Sequence, residues 1–485
     1  MLVIQLTGSE APASVPGGAI FELAVDRGIS SARARRLRVM VDELVHLAQL
    51  REHGDRPAEV TVRAWTERGH LYVEVNDHGI PVFEDDTVIP HELVRLGYAE
   101  FIELHSHGRE GNVARCSLHL SEVDARGELA DREQVLSEDA AEAEPEAELH
   151  ARAMLPSECD ALARLVYRCY GYDYPADEIY YPERMSALID GGLMHSAVVC
   201  NEAGELVAHS SLTLARSGAR IAEAGKLVVD PRYRSHGLAR MVATLRLERA
   251  AELGLLGLWT ECVSNHPFSQ KNQRKLGARE TGVFMGMLPA SVKMVGLENE
   301  AEERGSLIPM YLPLAGSPAR ELYVPERYRE LIAEIAEHLE LERKLTTRGA
   351  PAAEESRMAV SVNRLLNVAV IDVEVAGADF PERLETHMDH LYDMHVSSVY
   401  LDLHLGDPGS AHAGDHVAGH GFFFSALLPE SGVVSDVLRL QVHNHEHITP
   451  ESIQLATDWG VRLLTRCVED RARVLEESRR RRLEG

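Results

Sequence analysis

The chain has 485 residues, 45% hydrophobic and 26% charged, the mix of a soluble globular protein of about three domains, or two large ones. Its 77 acidic against 50 basic residues give a formal charge of −27. A surface that acidic repels phosphate backbones and anionic headgroups, so neither nucleic acid nor membrane is an expected partner. The six cysteines are scattered with no C-x-x-C pair, which argues against a disulfide frame or zinc knuckle and for reduced thiols in a cytoplasmic protein. No apolar run approaches the roughly 18 residues of a membrane span, and Met1–Gln5 reaches Thr7, Gly8 and Glu10 too soon for a signal peptide.

In chain order, residues 1–120 read as an α/β domain. Ser30 is placed to cap a helix with Leu37, Met40, Val41, Leu44, Leu47 and Ala48 at helical spacing. Strands follow over Glu59–Thr66 and His70–Asn76, joined by the turn Glu67-Arg68-Gly69. Residues 121–150 carry eleven acids against Arg126 and Arg132, too much like charge to collapse on a core, and read as a linker. Residues 151–290 alternate helices and strands. Residues 291–325 read as an irregular connector punctuated by Pro309, Pro313, Pro318 and Pro325. Residues 326–470 form a third α/β segment, with strands over Leu365–Val375, Ser398–Leu405 and Val437–Gln441 and a helix over Phe380–Met394. Residues 471–485 are a charged tail ending in Arg479–Arg482. The fold class is mixed α/β throughout.

The strongest chemistry lies in Lys226-Leu-Val-Val-Asp-Pro-Arg-Tyr-Arg-Ser-His-Gly-Leu-Ala239. A β-branched strand ending at Val228-Val229 is stopped by Asp230-Pro231. A turn of Arg234, Ser235, His236 and Gly237 leads into a helix beginning at Leu238-Ala239. A strand, a glycine turn and a helix N-terminus make a cradle for a diphosphate, because unpaired N–H groups and the positive helix end face the anion. An ordinary βα turn would look the same locally. The arrangement Arg234-x-x-Gly237-x-Ala239 after Val228-Val229 resembles the CoA loop of GNAT-type N-acetyltransferases. Gly171-Tyr-Asp-Tyr174, strands over Leu206–Leu214 and Leu258–Ser264, and Lys275-Leu-Gly-Ala278 ending a helix from His266 extend the likeness over about 140 residues.

That resemblance implies acyl transfer from acetyl-CoA or another acyl-CoA to an amine, of a small molecule or a protein. It implies that backbone groups near Val228 and Val229 hold the pantetheine arm, and that residues 234–239 hold the diphosphate. A Lys-type amine is protonated at neutral pH and must lose a proton before attack. Glu223, on the strand ahead of the loop, and Glu261, on the next strand, are the candidate bases; either could equally be a solvated or ion-paired strand carboxylate. One departure stands out: Gln273 occupies the position where the family often has an acidic Tyr, leaving Tyr170, Tyr172, Tyr174 or solvent to protonate the leaving thiolate. His266 takes the place of a usual Asn, as a CoA contact or a helix cap.

In the N-terminal domain, Asn76-Asp77-His-Gly79-Ile-Pro81 closes a strand with a glycine turn. There Asp77 could accept the exocyclic amine of adenine while Gly79 lets the base lie close; a plain hairpin-end turn is the alternative. With Asp42-Glu43-Leu44-Val45-His46-Leu47-Ala48 and Gly108-Arg-Glu-Gly111-Asn112 this resembles the α/β sandwich of the histidine-kinase-like (GHKL) ATPases, especially bacterial anti-sigma-factor kinases. The resemblance implies ATP or ADP contacts by Glu43, Asp77, Gly79 and Gly111, and a protein partner. It is broken at Leu47, where the family has a Mg²⁺-binding Asn; leucine offers the metal no oxygen. Nucleotide binding without turnover and a purely structural role both fit.

In the third segment, His416-Val-Ala-Gly-His420-Gly-Phe422 resembles the later half of a GNAT fold, implying a degenerate second copy with no phosphate loop. His412, His416 and His420, and His443, His445 and His447, have spacings that put imidazoles on one face, but neither set follows a ligand pattern and no metal is expected. The expected whole is a cytoplasmic fusion of bacterial type: a nucleotide- or partner-binding domain, an acyltransferase and a degenerate repeat. The rival is a non-catalytic regulator that binds CoA or nucleotide.

Overall fold

In the computed structural model the description covers the chain except residues 9–10, 55–56, 84–87, 121–148, 173, 175, 234–235, 290–302, 315, 365, 433–434, 445–447 and 485. Nearly all of the acidic segment, along with Arg234, Ser235, His445 and His447, therefore lies outside the described residues, as do the side chains of Arg479–Arg482. The chain folds as two compact units. One comprises residues 1–190, 198–209 and 228–241, the other 191–197, 210–227 and 242–485. Among the described residues no helix is long and apolar enough to cross a membrane, and the six cysteines are buried free thiols.

In the first unit, β1 (Leu2–Thr7), β2 (Glu59–Glu67), β3 (His70–Asp77), β4 (Phe101–Ser106) and β5 (Asn112–His119) form an antiparallel sheet ordered β1-β2-β3-β5-β4, accompanied by α1 (Ser14–Asp26), α2 (Ser31–Leu50) and α3 (Val88–Arg95). Ser30 caps α2 as expected, its Oγ accepting the Arg33 N–H at 3.4 Å. Leu37, Met40, Val41, Leu44 and Val45 of α2 pack with Val60, Val62, Leu71 and Val73 of the sheet; each such fully buried side chain is worth roughly 2 kcal/mol. The β2–β3 hairpin turns on Arg68 (φ 48°) and Gly69 (φ 82°), both left-handed, the geometry whose twist suits a two-residue turn. The same unit holds α4 (Cys159–Tyr170) and α5 (Pro182–Asp190).

The middle sheet follows the order β11-β13-β10-β9-β8-β7-β6, with β12 paired to β13. Its strands are β6 (His150–Ala153), β7 (Met194–Cys200), β8 (Leu206–Thr213), β9 (Ile221–Val229), β10 (Gly257–Val263), β11 (Arg279–Glu280), β12 (Phe284–Leu288) and β13 (Gly305–Pro313). Helix α6 (Leu238–Glu252) connects the parallel pair β9 and β10, and α7 (Phe268–Lys275) follows β10. Residues 291–325 are not wholly irregular: β13 pairs with β10 from Gly257↔Pro313 to Val263↔Leu307, so Pro309 and Pro313 sit inside a strand. Its run Leu307–Leu312 is buried, and that hydrophobic gain outweighs the donors lost at proline.

Beyond it, β14 (Arg320–Tyr323) pairs with β15 (Arg343–Thr346), with α8 (Arg329–His338) between them. The last sheet is ordered β16-β17-β18-β20-β19. It comprises β16 (Arg357–Asn363), β17 (Val368–Val375), β18 (Ser398–His404), β19 (Phe423–Leu428) and β20 (Val437–His443), with α9 (Phe380–Asp393), α10 (Gly409–Gly419) and α11 (Asp458–Glu484). Its core pattern repeats that of β9 to β13: a parallel pair joined through a helix, a second helix, then an antiparallel strand inserted beside the second member of the pair. The two patterns lie in one core, and β12 contacts the last sheet, with Tyr400 Oη donating to the Met285 carbonyl at 3.1 Å and the Met285 N–H to Gln441 Oε1 at 2.9 Å.

Candidate active site

Strands β9 and β10 pair only from Ile221↔Gly257 to Glu223↔Trp259, although both run on for several residues. Lys226, at φ 52°, is a left-handed residue within β9. That backbone is costly for lysine, and such strained positions cluster at functional sites. Gly225 makes room for the Glu223 side chain: a Cβ there would meet Glu223 Oε1 at 2.6 Å. Alternation along β10 puts Trp259, Glu261 and Val263 on one face, and Glu223 is the register partner of Trp259. The two expected carboxylates are thus neighbours where the strand pair opens. Burial, and then the like charge of Glu223, push Glu261 up to about 7 against the opposing pull of Arg439 and Lys226. Lys226 Nζ stands 3.9 Å from Glu223 and 3.3 Å from Thr213 Oγ1.

The face carrying Glu223 and Trp259 borders a cavity of about 330 Å³ whose far wall comes from the last sheet, through Asp372, Asp402, His404 and Arg439. Arg439 makes two 2.7 Å bonds to Asp402 and lies over the rings of Phe284 and Tyr400, at 4.9 and 5.6 Å. His404 Nε2 is 2.8 Å from Asp372 Oδ1. Burial opposes charging this imidazole, but Asp372 outweighs it and raises the His404 pKa. The sequence motifs missed this wall because its residues lie more than 100 positions downstream and follow no local pattern.

In the turn after β9, Arg232 clamps buried Asp230 through Nε and Nη2, at 3.0 and 2.8 Å, and reaches Glu205 at 2.7 Å. Gly237 has φ 76°, and its carbonyl accepts the N–H groups of Arg240 and Met241 at 3.0 and 3.2 Å, starting α6. Among the described residues, a Cβ on Gly237 would meet nothing within 4 Å. His236 is exposed, its Nδ1 3.1 Å from the Tyr233 carbonyl, while Leu238 is buried and Ala239 half-buried. An exposed residue, His236, thus stands beside a helix N-terminus, the kind of place where anions bind.

The corresponding turn of the last sheet, between β17 and α9, is filled by the protein itself. Asp379 Oδ1 accepts from the N–H and Oγ of Ser356, both at 2.7 Å, Ser356 Oγ accepts from the Gly377 N–H at 2.9 Å, and Asp407 Oδ2 accepts from the Ala376 N–H at 2.9 Å. Two carboxylates stand where an anion would have to bind. The glycines around His412 and His416 do not prevent a helix: both lie on α10 with rings 5.3 Å apart, and His420 follows at its end. Among the described residues no group of three His, Cys, Asp or Glu is arranged to hold a metal.

In the N-terminal domain, Asp77, Gly79 and Gly111 do come together, but Asp77 is only 1% exposed and fully engaged. It pairs with Arg51 and accepts from Asn112 Nδ2 at 2.9 Å and the Gly79 N–H at 2.8 Å. The Gly79 and His78 carbonyls accept from Tyr172 Oη and Tyr167 Oη, each at 2.9 Å, and Arg109 donates to the carbonyls of Tyr172 and Tyr174. The adenine contact read for Asp77 is therefore not presented: its carboxylate is spent inside the fold, and Tyr172 caps the turn. Glu43 lies eight residues before Arg51 on α2, about 12 Å along the axis. Tyr172 is equally unsuited as a general acid, since burial pushes its hydroxyl well above the usual range.

With this geometry in place, a family model described as the acetyltransferase (GNAT) family matches residues 159–278. Residues 159–278 are a GNAT acetyltransferase domain. The match runs from α4 to the end of α7 and is bounded more tightly than the resemblance read from the sequence. It makes this an acyltransferase, of a family that binds acetyl-CoA. Among solved structures, the chain is similar to the ribosomal-protein-S18-alanine N-acetyltransferase of Escherichia coli, at 17% identity and a TM-score of 0.28 over 35% of this chain and 95% of that one. It is also similar to a spermidine N-acetyltransferase of Vibrio cholerae, at 16% identity and a TM-score of 0.28 over 34% and 94%. A search of curated proteins finds no match.

Proposed function

We propose that this chain transfers an acyl group, in the first place acetyl, from acyl-CoA to an amine, with Glu261 as the base. The observation that supports this best is the Glu261 carboxyl, held near 7 by burial beside Glu223 where β9 and β10 part. A base is most effective when its pKa lies near the working pH. Bound acyl-CoA would supply the activated thioester. Val228 and Val229 would hold the pantetheine arm through their backbone, and residues 234–239 the diphosphate. Glu261 takes the proton from the attacking ammonium, and Glu223 keeps that carboxyl basic. Gln273 carries no transferable proton and Tyr172 is committed to Gly79, which leaves Tyr170, Tyr174 or solvent to protonate the departing thiolate.

The last sheet is read as a degenerate second copy of the same fold, supported by its matching strand pattern and its filled turn. The N-terminal domain is read as a regulatory docking module, supported by the Tyr167 and Tyr172 bonds to its Asp77–Gly79 turn and by the bond of its own Arg109 to the Tyr172 carbonyl. Its likeness to the histidine-kinase-like ATPases rests on short motifs, and the engaged Asp77 favours a protein partner over ATP or ADP. A non-catalytic regulator is the second reading, favoured by Gln273. Acetyl-CoA turnover by the full chain over a panel of amines tests the choice: thiol release dependent on an amine supports transfer, while CoA binding without amine-dependent release across the panel rejects it.

A further inference from the structure

The cavity beside Glu223 has an uneven charge balance. Each carboxylate that lines it has a basic partner. Asp402 is bound twice by Arg439, and Glu430 by Arg320 at 2.6 Å and Arg343 at 3.1 Å. Asp372 is held by His404 at 2.8 Å, and Glu223 faces Lys226 at 3.9 Å. Two of the lining residues, Arg216 and Arg220, lie on the loop between β8 and β9, and neither guanidinium has an ion-pair or hydrogen-bond partner among the described residues. The unspent charge at this cavity is therefore positive and concentrated on that loop.

We infer that the acceptor is a small primary amine that also carries an anionic group, its amine directed to Glu223 and Glu261 and its anion held by Arg216 and Arg220. The inference rests on the acyl-transfer reading and adds the substrate class. A cavity of about 330 Å³ is at the small end of ligand sites, which suits a free small molecule. Arg220 precedes β9 by one residue, and its Cα lies about 10 Å along the chain from that of Glu223. The reach of an arginine shortens that gap, so one small molecule can meet both groups. The guanidinium fork suits carboxylate and phosphate alike, so the anion belongs to either class.

The test is steady-state transfer from acetyl-CoA by the full chain to matched acceptors: glutamate and β-alanine, their neutral amides, phosphoethanolamine, and putrescine as an amine without an anion. The expected result is a kcat/KM for the anionic member of a pair about tenfold or more above its neutral partner, the discrimination expected of a charge-assisted contact. The winner among glutamate, β-alanine and phosphoethanolamine identifies carboxylate or phosphate. In the double variant R216Q/R220Q that ratio should collapse towards one, through KM. Equal use of anionic and neutral partners, preference for putrescine, or a ratio unchanged in the double variant would overturn this inference and leave acyl transfer standing. Transfer to no acceptor, with acetyl-CoA bound, would overturn the acyl-transfer reading and this inference with it.

Discussion

Replacing Glu261 by Gln should move activity and stability in opposite directions, with a definite dependence on pH. The carboxyl is raised from its ordinary 4.5 to about 7, by burial first and by Glu223 second. That displacement corresponds to about 3 kcal/mol between the two protonation states. The folded state binds the proton more tightly than the unfolded chain, so the associated stability is fully present below pH 4.5 and is lost as pH rises through 7. E261Q cannot ionise and should raise the melting temperature at about pH 8 while changing little at about pH 4.5. For catalysis the ionised form is needed, so kcat/KM should rise with pH through an apparent pKa of about 7. The variant should lose that limb and run about 10² to 10⁴-fold slower. E223Q removes the like charge and should shift the limb to lower pH. The assays are thermal melts at both pH values and a pH–rate series with CoA thiol as the readout. A rate that is flat between about pH 6 and 8, or an E261Q enzyme within about twofold of the parent, refutes Glu261 as the base.

Three further outcomes follow from the anion sites. Gly237→Val should abolish measurable CoA binding in calorimetry while the chain stays folded, because φ 76° and the bulk of valine block the backbone's approach to the diphosphate; the fold itself should lose only about 1–2 kcal/mol to left-handed strain. Calorimetry should also give close to one CoA per chain, since Asp379 and Asp407 fill the turn before α9; two per chain would show that those carboxylates can be displaced. The full chain should release no phosphate from ATP above a buffer blank, because Leu47 supplies no Mg²⁺ ligand and Asp77 is engaged by Arg51 and Asn112.

Much of the fold is legible in the sequence where the signal is local. Ser30, the Arg68-Gly69 turn and the helical spacing of Leu37 to Leu44 specify their elements through contacts within a few residues. The strand–turn–helix around Gly237 is legible for the same reason. β13 is not, because Pro309 and Pro313 look like breakers until β10 is beside them to bury the run between. Glu223 and Glu261 can be nominated through the GNAT resemblance, by their places on the strand before the loop and on the next one, but the choice between them depends on burial, which no spacing reveals. Arg439, Asp402 and His404 carry no motif at all; pairing through β18 and β20 is what brings them to the cavity. Asp77 is the converse case: its motif is intact, and only the structure shows that its carboxylate is bound by the tertiary partners Arg51 and Asn112.

The strand pattern of β9 to β13 and the matching pattern of the last sheet differ at their βα turns through a few side chains. A βα turn binds an anion only while its amides stay unclaimed and no negative charge precedes the ligand. In the turn after β9 the one carboxylate, Asp230, is neutralised by Arg232, whereas Asp379, Ser356 and Asp407 have satisfied the turn after β17 from within. The last sheet faces the cavity with other residues. Asp402 and Arg439 fix each other rigidly, and Arg439 in turn covers Phe284 and Tyr400 beside Glu261. A positive charge in that place pulls Glu261 down while burial and Glu223 push it up, and the balance leaves the carboxyl near 7. The last sheet is therefore more than a packing partner: removing it would expose Glu261 to water, return its acidity towards that of an ordinary glutamate and weaken it as a base at neutral pH.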